Sequence, residues 1–131
     1  MKITLGRYML VHHRGNGVRV VSFAQPDLRL QLDSYGTIED CELYQELDVR
    51  ALRSLAAEDR LVLDLRRVRF FTSAFLHLLL KVRQVVCDRQ AQLVLCHVQP
   101  SHRQVLEVTK TLPLFQIAPD EEEAPGKDHE E

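Results

Sequence analysis

Residues 61–80 of this 131-residue chain, LVLDLRRVRFFTSAFLHLLL, decide the predicted fold. They begin with an almost continuous apolar run over residues 61–65, which is typical of a strand covered on both faces. From Phe75 onward the apolar residues recur at helical spacing, which predicts a helix with a broad apolar stripe. The stripe comprises Phe75, Leu78, Leu79, Val82, Val85 and Val86. Thr72 or Ser73 is the expected N-cap, so the stretch predicts a strand, a turn and a helix in that order.

Regular elements are also predicted on both sides of this stretch. A second buried strand is predicted over Gln92–Cys96, and Pro100 with Ser101 is expected to open a further helix. Near the amino terminus, residues 8–12 and Val18–Phe23 are β-rich runs. The Asn-Gly pair between them favours a tight hairpin turn.

A helix is predicted between the hairpin and the central strand. Thr37 with Asp40 forms a weak capping-box pattern before it. Its apolar face comprises Tyr44, Leu47, Ala51 and Leu55. The order strand, helix, strand predicts parallel pairing with helices packed on the sheet. We therefore expect an α/β fold with a mixed, mostly parallel central sheet of four to five strands and three to four helices.

The composition predicts one compact domain followed by an acidic tail. The chain is 45% hydrophobic and 27% charged, as expected of a single globular core. Residues 119–131 hold seven of the 19 acidic residues and one of the 17 basic residues, which leaves the body with 12 acidic and 16 basic residues. We expect residues 1–118 to form the domain and residues 119–131 to be disordered, because the tail has too few apolar residues to order itself.

The same composition argues against several classes of protein. The three cysteines, Cys41, Cys87 and Cys96, have no paired spacing, so neither a disulfide framework nor a metal site is expected, and a reducing cytoplasm is favoured. No apolar run reaches bilayer length, so no membrane insertion is expected. The basic body has no interleaved aromatic residues and no nucleic-acid-binding motif, so no nucleic acid partner is expected. No cofactor is expected either.

No catalytic set is predicted from the sequence. Ser73 lacks the G-x-S-x-G elbow of a hydrolase. His77 follows Ser73 by one helical turn, but a half-exposed helix histidine is the simpler interpretation. We expect His97 at the end of a strand and His102 in the first turn of the last helix. The chain is therefore not expected to be an enzyme.

Two segments carry a resemblance to a known family. Residues 61–76, LVLDLRRVRFFTSAFL, resemble the "VLDL" strand followed by Asp-Ser-Ser-Gly and Leu of the STAS family, which includes the anti-sigma factor antagonists. Residues 93–117, LVLCHVQPSHRQVLEVTKTLPLFQI, resemble the ending of that family's domain. The likeness runs without gaps from about residue 60 to residue 117 and more loosely back to about residue 18. It implies a STAS-like fold for the predicted α/β domain.

The resemblance also implies a candidate site. Ser73 stands at the position of the family's phosphorylated serine, Thr72 at that of the preceding Asp, Ala74 at that of the second Ser and Phe75 at that of the Gly. Ser73 is therefore the candidate phosphorylation site, and Phe75 is expected to add bulk where a partner meets a glycine in the family. The partner-binding candidates are Thr72, Ala74, Phe75, Arg69 and His77.

Two functional interpretations follow from this resemblance. In the first, the protein binds an anti-sigma factor or a histidine-kinase-like serine kinase around Ser73, and phosphorylation of Ser73 ends the binding. In the second, it is a constitutive STAS adaptor or scaffold, or a small-ligand-binding module, and Ser73 only caps a helix. A monomer or weak dimer is expected, because an edge strand at the amino terminus could pair with a second copy.

Overall fold

A computed structural model describes residues 2–5, 8–23, 41–69 and 71–118. The strands are β1 (Lys2–Leu5), β2 (Met9–His13), β3 (Val18–Phe23), β4 (Arg60–Asp64), β5 (Gln92–Cys96) and β6 (Gln116–Ala118). The helices are α1 (Glu42–Leu47), α2 (Ser73–Asp88) and α3 (Pro100–Val108). A π-helical segment, Asp48–Leu52, continues α1, and a 3₁₀ turn, Leu112–Leu114, precedes β6. The predicted capping pattern at Thr37 and Asp40 and the acidic tail at residues 119–131 lie outside the described residues.

The strands form one mixed sheet in the order in which they occur in the chain. β1 and β3 each pair with β2 in antiparallel fashion, whereas β3–β4, β4–β5 and β5–β6 are parallel. The predicted mixed, mostly parallel α/β sheet is confirmed. It has six strands where four to five were expected, because β1 and β6 are edge strands of only four and three residues. Segments this short carry too little apolar alternation to be recognised in the sequence.

The hairpin between β2 and β3 has the turn that the Asn-Gly pair predicts. Asn16 and Gly17 both have positive φ, 58° and 80°, the left-handed backbone that Asn and Gly adopt readily in tight turns. A Cβ on Gly17 would lie 2.8 Å from the Oδ1 atom of Asp59, so this glycine also permits close packing against the start of the next strand. The Arg14 N–H donates to the Val18 carbonyl over 2.9 Å and closes the loop.

The two faces of the sheet contribute to different cores. The larger core joins Leu61, Leu63 and Leu65 with apolar residues from all three described helices. The smaller core comprises Val18, Val20, Val62, Val94, Cys96 and Ala118, none of which belongs to a helix. Successive strand residues point to opposite faces, which explains the division. β4 is thus buried on both sides, as its apolar run predicts.

The helix stripes agree closely with the expected pattern. On α2 the buried residues are Phe75, Leu76, Leu78, Leu79, Val82 and Val86, and Val85 is half-buried. The predicted apolar face of the α1 region, Tyr44, Leu47, Ala51 and Leu55, is also buried. The helix predicted from Pro100 begins at that residue. Within the described part of the chain, no helix has both the length and the apolar character needed to cross a bilayer.

Candidate functional site

The connection between β4 and α2 is held by two buried residues and by the side chain of Gln99. Leu65 and Val68 are fully buried, and the Val68 N–H donates to the Leu65 carbonyl over 3.1 Å. The Gln99 side-chain amide donates to the carbonyls of Arg66 and Val68, over 3.2 and 3.0 Å. These bonds satisfy backbone groups of an otherwise irregular segment. They therefore fix the path of the chain that leads to Thr72 and Ser73.

An aromatic cluster lies beneath the first turn of α2. Phe75 is fully buried, and its ring meets those of Phe23 and Phe71 edge to face, with centroids 5.8 and 5.2 Å apart. Phe71 also contacts the His102 ring at a centroid distance of 5.3 Å. Such aromatic pairs stabilise beyond the area that they bury. The cluster joins β3, α2 and α3 at the base of the helix.

The N-cap of α2 is Thr72. Its backbone is extended, with φ −84° and ψ 167°, and its hydroxyl oxygen accepts a hydrogen bond from the Phe75 N–H over 3.1 Å. Ser73 is the first helical residue and is exposed. The sequence left the choice between these two hydroxyls open. The structure divides the roles, because Thr72 caps the helix and Ser73 faces solvent.

The other predicted site residues differ in exposure. Arg69 and His77 are exposed, and Ala74 is half-buried. Phe75, by contrast, has 0% exposure. The expectation that its bulk lies on the partner surface is wrong in this structure, because Phe75 is the first residue of the buried stripe. Of the predicted site residues, Arg69, Ser73 and His77 are therefore exposed, Thr72 and Ala74 are half-buried, and only the Phe75 ring is fully buried.

The electrostatics of this helix start favour a negative charge. The first turn of α2 contains no acidic residue, and the helix has 16 residues. The unpaired N–H groups and the positive end of the helix dipole lie at this end. A phosphate on Ser73 would therefore be placed where backbone groups attract it.

His102 is the buried titratable group of this region. It lies in the first turn of α3, as predicted, but with only 2% of its surface exposed. Neither ring nitrogen has a hydrogen-bond partner of good geometry in the described ranges. Burial lowers the pKa of His102 below its ordinary value of 6.5, and the nearby Arg69 backbone opposes this only in part. The neutral ring therefore acts as a core side chain against Phe71.

A second group of functional side chains meets at the ends of β4 and β5. Potential ligand atoms of Asp64, Cys96 and His97 all lie within 4.8 Å of one another. This cluster was not predicted from the sequence, from which no metal site was expected. Asp64 and Cys96 are cross-strand partners in the parallel register, which the matching runs LVLD and LVLC could have suggested. His97 joins them through a positive φ of 55°, which no local pattern indicates.

The protein is an α/β domain in which the helix α2 begins with the exposed Ser73. The STAS domain family matches residues 40–124. The chain therefore belongs to the STAS domain family, as the resemblance in the sequence implied. Its predicted fold class is confirmed by the solved structures to which it is similar.

The relatives of this chain include proteins named as anti-sigma factor antagonists. A Bordetella bronchiseptica protein named "Putative anti-sigma factor antagonist BtrV" is 39% identical over 67 residues, which are 51% of this chain and 58% of that protein. The matched stretch is thus less than two thirds of the relative's length. An anti-sigma-factor antagonist STAS domain protein from Planctomyces limnophilus has a TM-score of 0.69 and 25% identity, over 88% of this chain and 92% of that one. The NMR structure of TM1081 has a TM-score of 0.65 at 16% identity, over 95% and 92%, and shows the fold alone.

Proposed function

We propose that this protein is a non-catalytic regulator of the anti-sigma factor antagonist type. It binds an anti-sigma factor or a histidine-kinase-like serine kinase through the surface around Ser73, and phosphorylation of Ser73 ends the binding. The observation that carries the proposal is the exposure of Ser73 at the first helical position while the neighbouring Thr72 caps the helix. A kinase can reach this hydroxyl without removing the cap. The family and the name of the Bordetella relative support the same class of partner.

A phosphate would change this surface mainly through charge. It adds about 1.5 to 2 negative charges at neutral pH. The positive end of α2 favours that charge while it remains in water, and Arg69, an exposed residue four positions before Ser73, is a candidate to neutralise part of it. Burying it against an apolar or acidic partner surface would remove its hydration without replacing it. Phosphorylation is thus expected to leave the free protein folded and to weaken the complex with the partner.

The proposed contact surface comprises Thr72, Ser73, Ala74, Arg69 and His77. Its members lie on the segment before α2 and on the first two turns of that helix. We place the protein in the cytoplasm, where such kinases and ATP occur. Because β1 is a sheet edge, we propose a monomer or a weak dimer.

The experiment begins with a pull-down from the native organism that identifies the partner kinase. The purified protein is then incubated with that kinase and ATP, and the modified residue is located by mass spectrometry. We expect one phosphate, on Ser73, and at least about tenfold weaker binding for Ser73→Asp, since charge desolvation at an interface costs more than 1.4 kcal/mol. Ser101→Asp is the matched control, because Ser101 is also an exposed serine in the first turn of a helix.

The opposite result would favour the second interpretation. If no phosphate forms on Ser73 and Ser73→Asp binds as well as the unmodified protein, the switch is excluded. The protein would then be a constitutive adaptor or scaffold, or a small-ligand-binding module. The observation that favours this alternative is Thr72, because a hydroxyl already engaged with the Phe75 N–H stands where the family has a carboxylate.

A further inference from the structure

We propose that Asp64, Cys96 and His97 form a binding site for a divalent transition metal ion, with Zn²⁺ as the best match. The three side chains offer one carboxylate, one thiol and one imidazole within 4.8 Å. Thiolate and imidazole ligands select Zn²⁺ and similar ions over Mg²⁺ or Ca²⁺, which prefer oxygen alone. Cys96 belongs to the smaller core, which contains no helix residue, so the site lies on that face of the sheet.

The backbone brings the three ligands to one side of the sheet. Asp64 and Cys96 are directly paired in the register of β4 and β5, so their side chains share a face. His97 follows Cys96, and a regular strand would turn its ring to the opposite face. Its φ of 55° turns the chain back, which brings the imidazole to the side of the thiol and the carboxylate.

The burial of Asp64 and Cys96, and the hydrogen bonds that Asp64 accepts, favour a metal site over a chance grouping of side chains. Asp64 and Cys96 are 7% and 0% exposed, and a buried carboxylate calls for a positive partner. The Asp64 Oδ1 atom accepts from the Arg66 N–H over 2.9 Å, and the Ser22 hydroxyl lies 3.4 Å from Oδ2. Contacts of this kind hold ligand side chains in place around a metal ion.

A cation already lies beside these groups. The Arg66 guanidinium is 2.7 Å from the His97 Nε2 atom and 3.9 Å from the Asp64 carboxylate. A guanidinium can only donate, so this contact directs the His97 Nε2 atom at a cation, and a metal ion would occupy the same position relative to that atom. The Arg66 side chain is 58% exposed, and an ion pair this exposed contributes little to stability. A metal ion can therefore replace it.

The ligand atoms would need to move only slightly closer to one another to bind a single zinc ion. Ligands of one tetrahedral zinc ion lie about 3.3–3.8 Å apart. Rotation of the half-buried His97 ring can supply the remaining ångström or so. With three protein ligands, water would complete the fourth position.

The test uses the full chain, treated with a chelator and kept in a reductant that contains no thiol. Titration with Co²⁺ as a spectroscopic probe should give one ion per chain and a thiolate-to-cobalt charge-transfer band in the near ultraviolet. Zn²⁺ should displace Co²⁺ and raise the melting temperature by roughly several degrees. Absence of the band in the unmodified protein would overturn the proposal.

Four variants test the site, two at proposed ligands, one at a control cysteine and one at the competing cation. Cys96→Ala should lose the band, whereas Cys87→Ala, which changes an exposed cysteine outside the cluster, should keep it. His97→Asn should weaken binding at least about tenfold, and asparagine tolerates the positive φ, so this variant serves even if Cys96→Ala fails to fold. Arg66→Gln should bind several times more tightly, because it removes the competing cation.

Two results would show that the metal binds elsewhere. Unchanged affinity in His97→Asn would mean an adventitious site on other histidines or carboxylates. Unchanged or weaker affinity in Arg66→Gln would contradict a site shared with that guanidinium. Neither result depends on the phosphorylation of Ser73, so this proposal and the proposed function can fail separately.

Discussion

The two sides of the first turn of α2 differ sharply in what they contact. The inner side, which we define as Phe71, Phe75, His102 and the capping hydroxyl of the half-buried Thr72, consists of ring contacts and one capping hydrogen bond. The outer side, defined as Arg69, Ser73 and His77, is exposed. Core contacts stabilise the fold, whereas exposed polar groups are available to a partner. Stability and recognition are thus divided within one helical turn.

This division explains how the chain departs from its family's motif. The two positions at which it departs most, Thr72 and Phe75, are both on the inner side and have structural contacts. The retained position, Ser73, is on the outer side. Substitutions on the inner side can repack the base of the helix while leaving the exposed hydroxyl in place. The difference between the sides can be measured residue by residue.

The largest expected effect is on the inner side. Phe75→Ala should lower the free energy of unfolding by about 3–5 kcal/mol, because it leaves a cavity between Phe23, Phe71 and the sheet. Urea denaturation of the purified variant measures this. Phe75→Leu retains most of the volume and should lose less. A loss below about 1 kcal/mol for Phe75→Ala would mean that the inner side does not support the helix.

Phe75 also shows which kind of sequence reasoning succeeded. Its spacing from Leu78, Leu79 and Val82 predicted a place on the buried stripe, and it is buried. Comparison with the family's glycine predicted exposed bulk instead, and that was wrong. Helical periodicity indicates which face of the helix a residue occupies. A motif position does not indicate whether a different residue type at that position will be buried or exposed.

Local sequence pattern predicted the elements of the fold but not the contacts between them. The strand β4, the helix α2 and the hairpin turn follow from periodicity and from Asn16-Gly17, and all are present. The burial of His102 follows from the packing of α3 against Phe71, which is a tertiary contact. The cluster at Asp64, Cys96 and His97 required the strand register and a left-handed backbone at one residue. The sequence thus predicts helices and strands better than it predicts which side chains contact one another at the ends of those elements.

A smaller effect, dependent on pH, is expected from His102. Because burial lowers its pKa, the unfolded chain takes up a proton on this ring at a higher pH than the folded chain. The stability contributed by the neutral ring is therefore complete above pH 6.5 and is lost as the pH falls below that value. The loss is at most about 1.4 kcal/mol per pH unit for one group.

Urea denaturation at a series of pH values between 7.5 and 5 measures this dependence. His102→Leu should remove part of the decline and become relatively more stable toward the acidic end. His77→Gln is the matched control on the outer side, because His77 is exposed on the neighbouring helix. If the decline were unchanged in His102→Leu and absent in His77→Gln, the assignment of the two sides would be reversed.

The smallest expected difference separates the two adjacent hydroxyls. Thr72→Ala should cost about 0.5–2 kcal/mol of unfolding free energy, because the Phe75 N–H loses its acceptor, and Thr72→Ser should retain most of it. Ser73→Ala changes an exposed side chain and should stay within about 0.5 kcal/mol of the unmodified protein. Thermal and urea denaturation of the three variants measure this difference. Equal losses for Thr72→Ala and Ser73→Ala would mean that Ser73 also supports the helix. Its hydroxyl could then not be modified or covered by a partner without cost to the fold, and the separation between the two sides would not hold at the residue where it matters most.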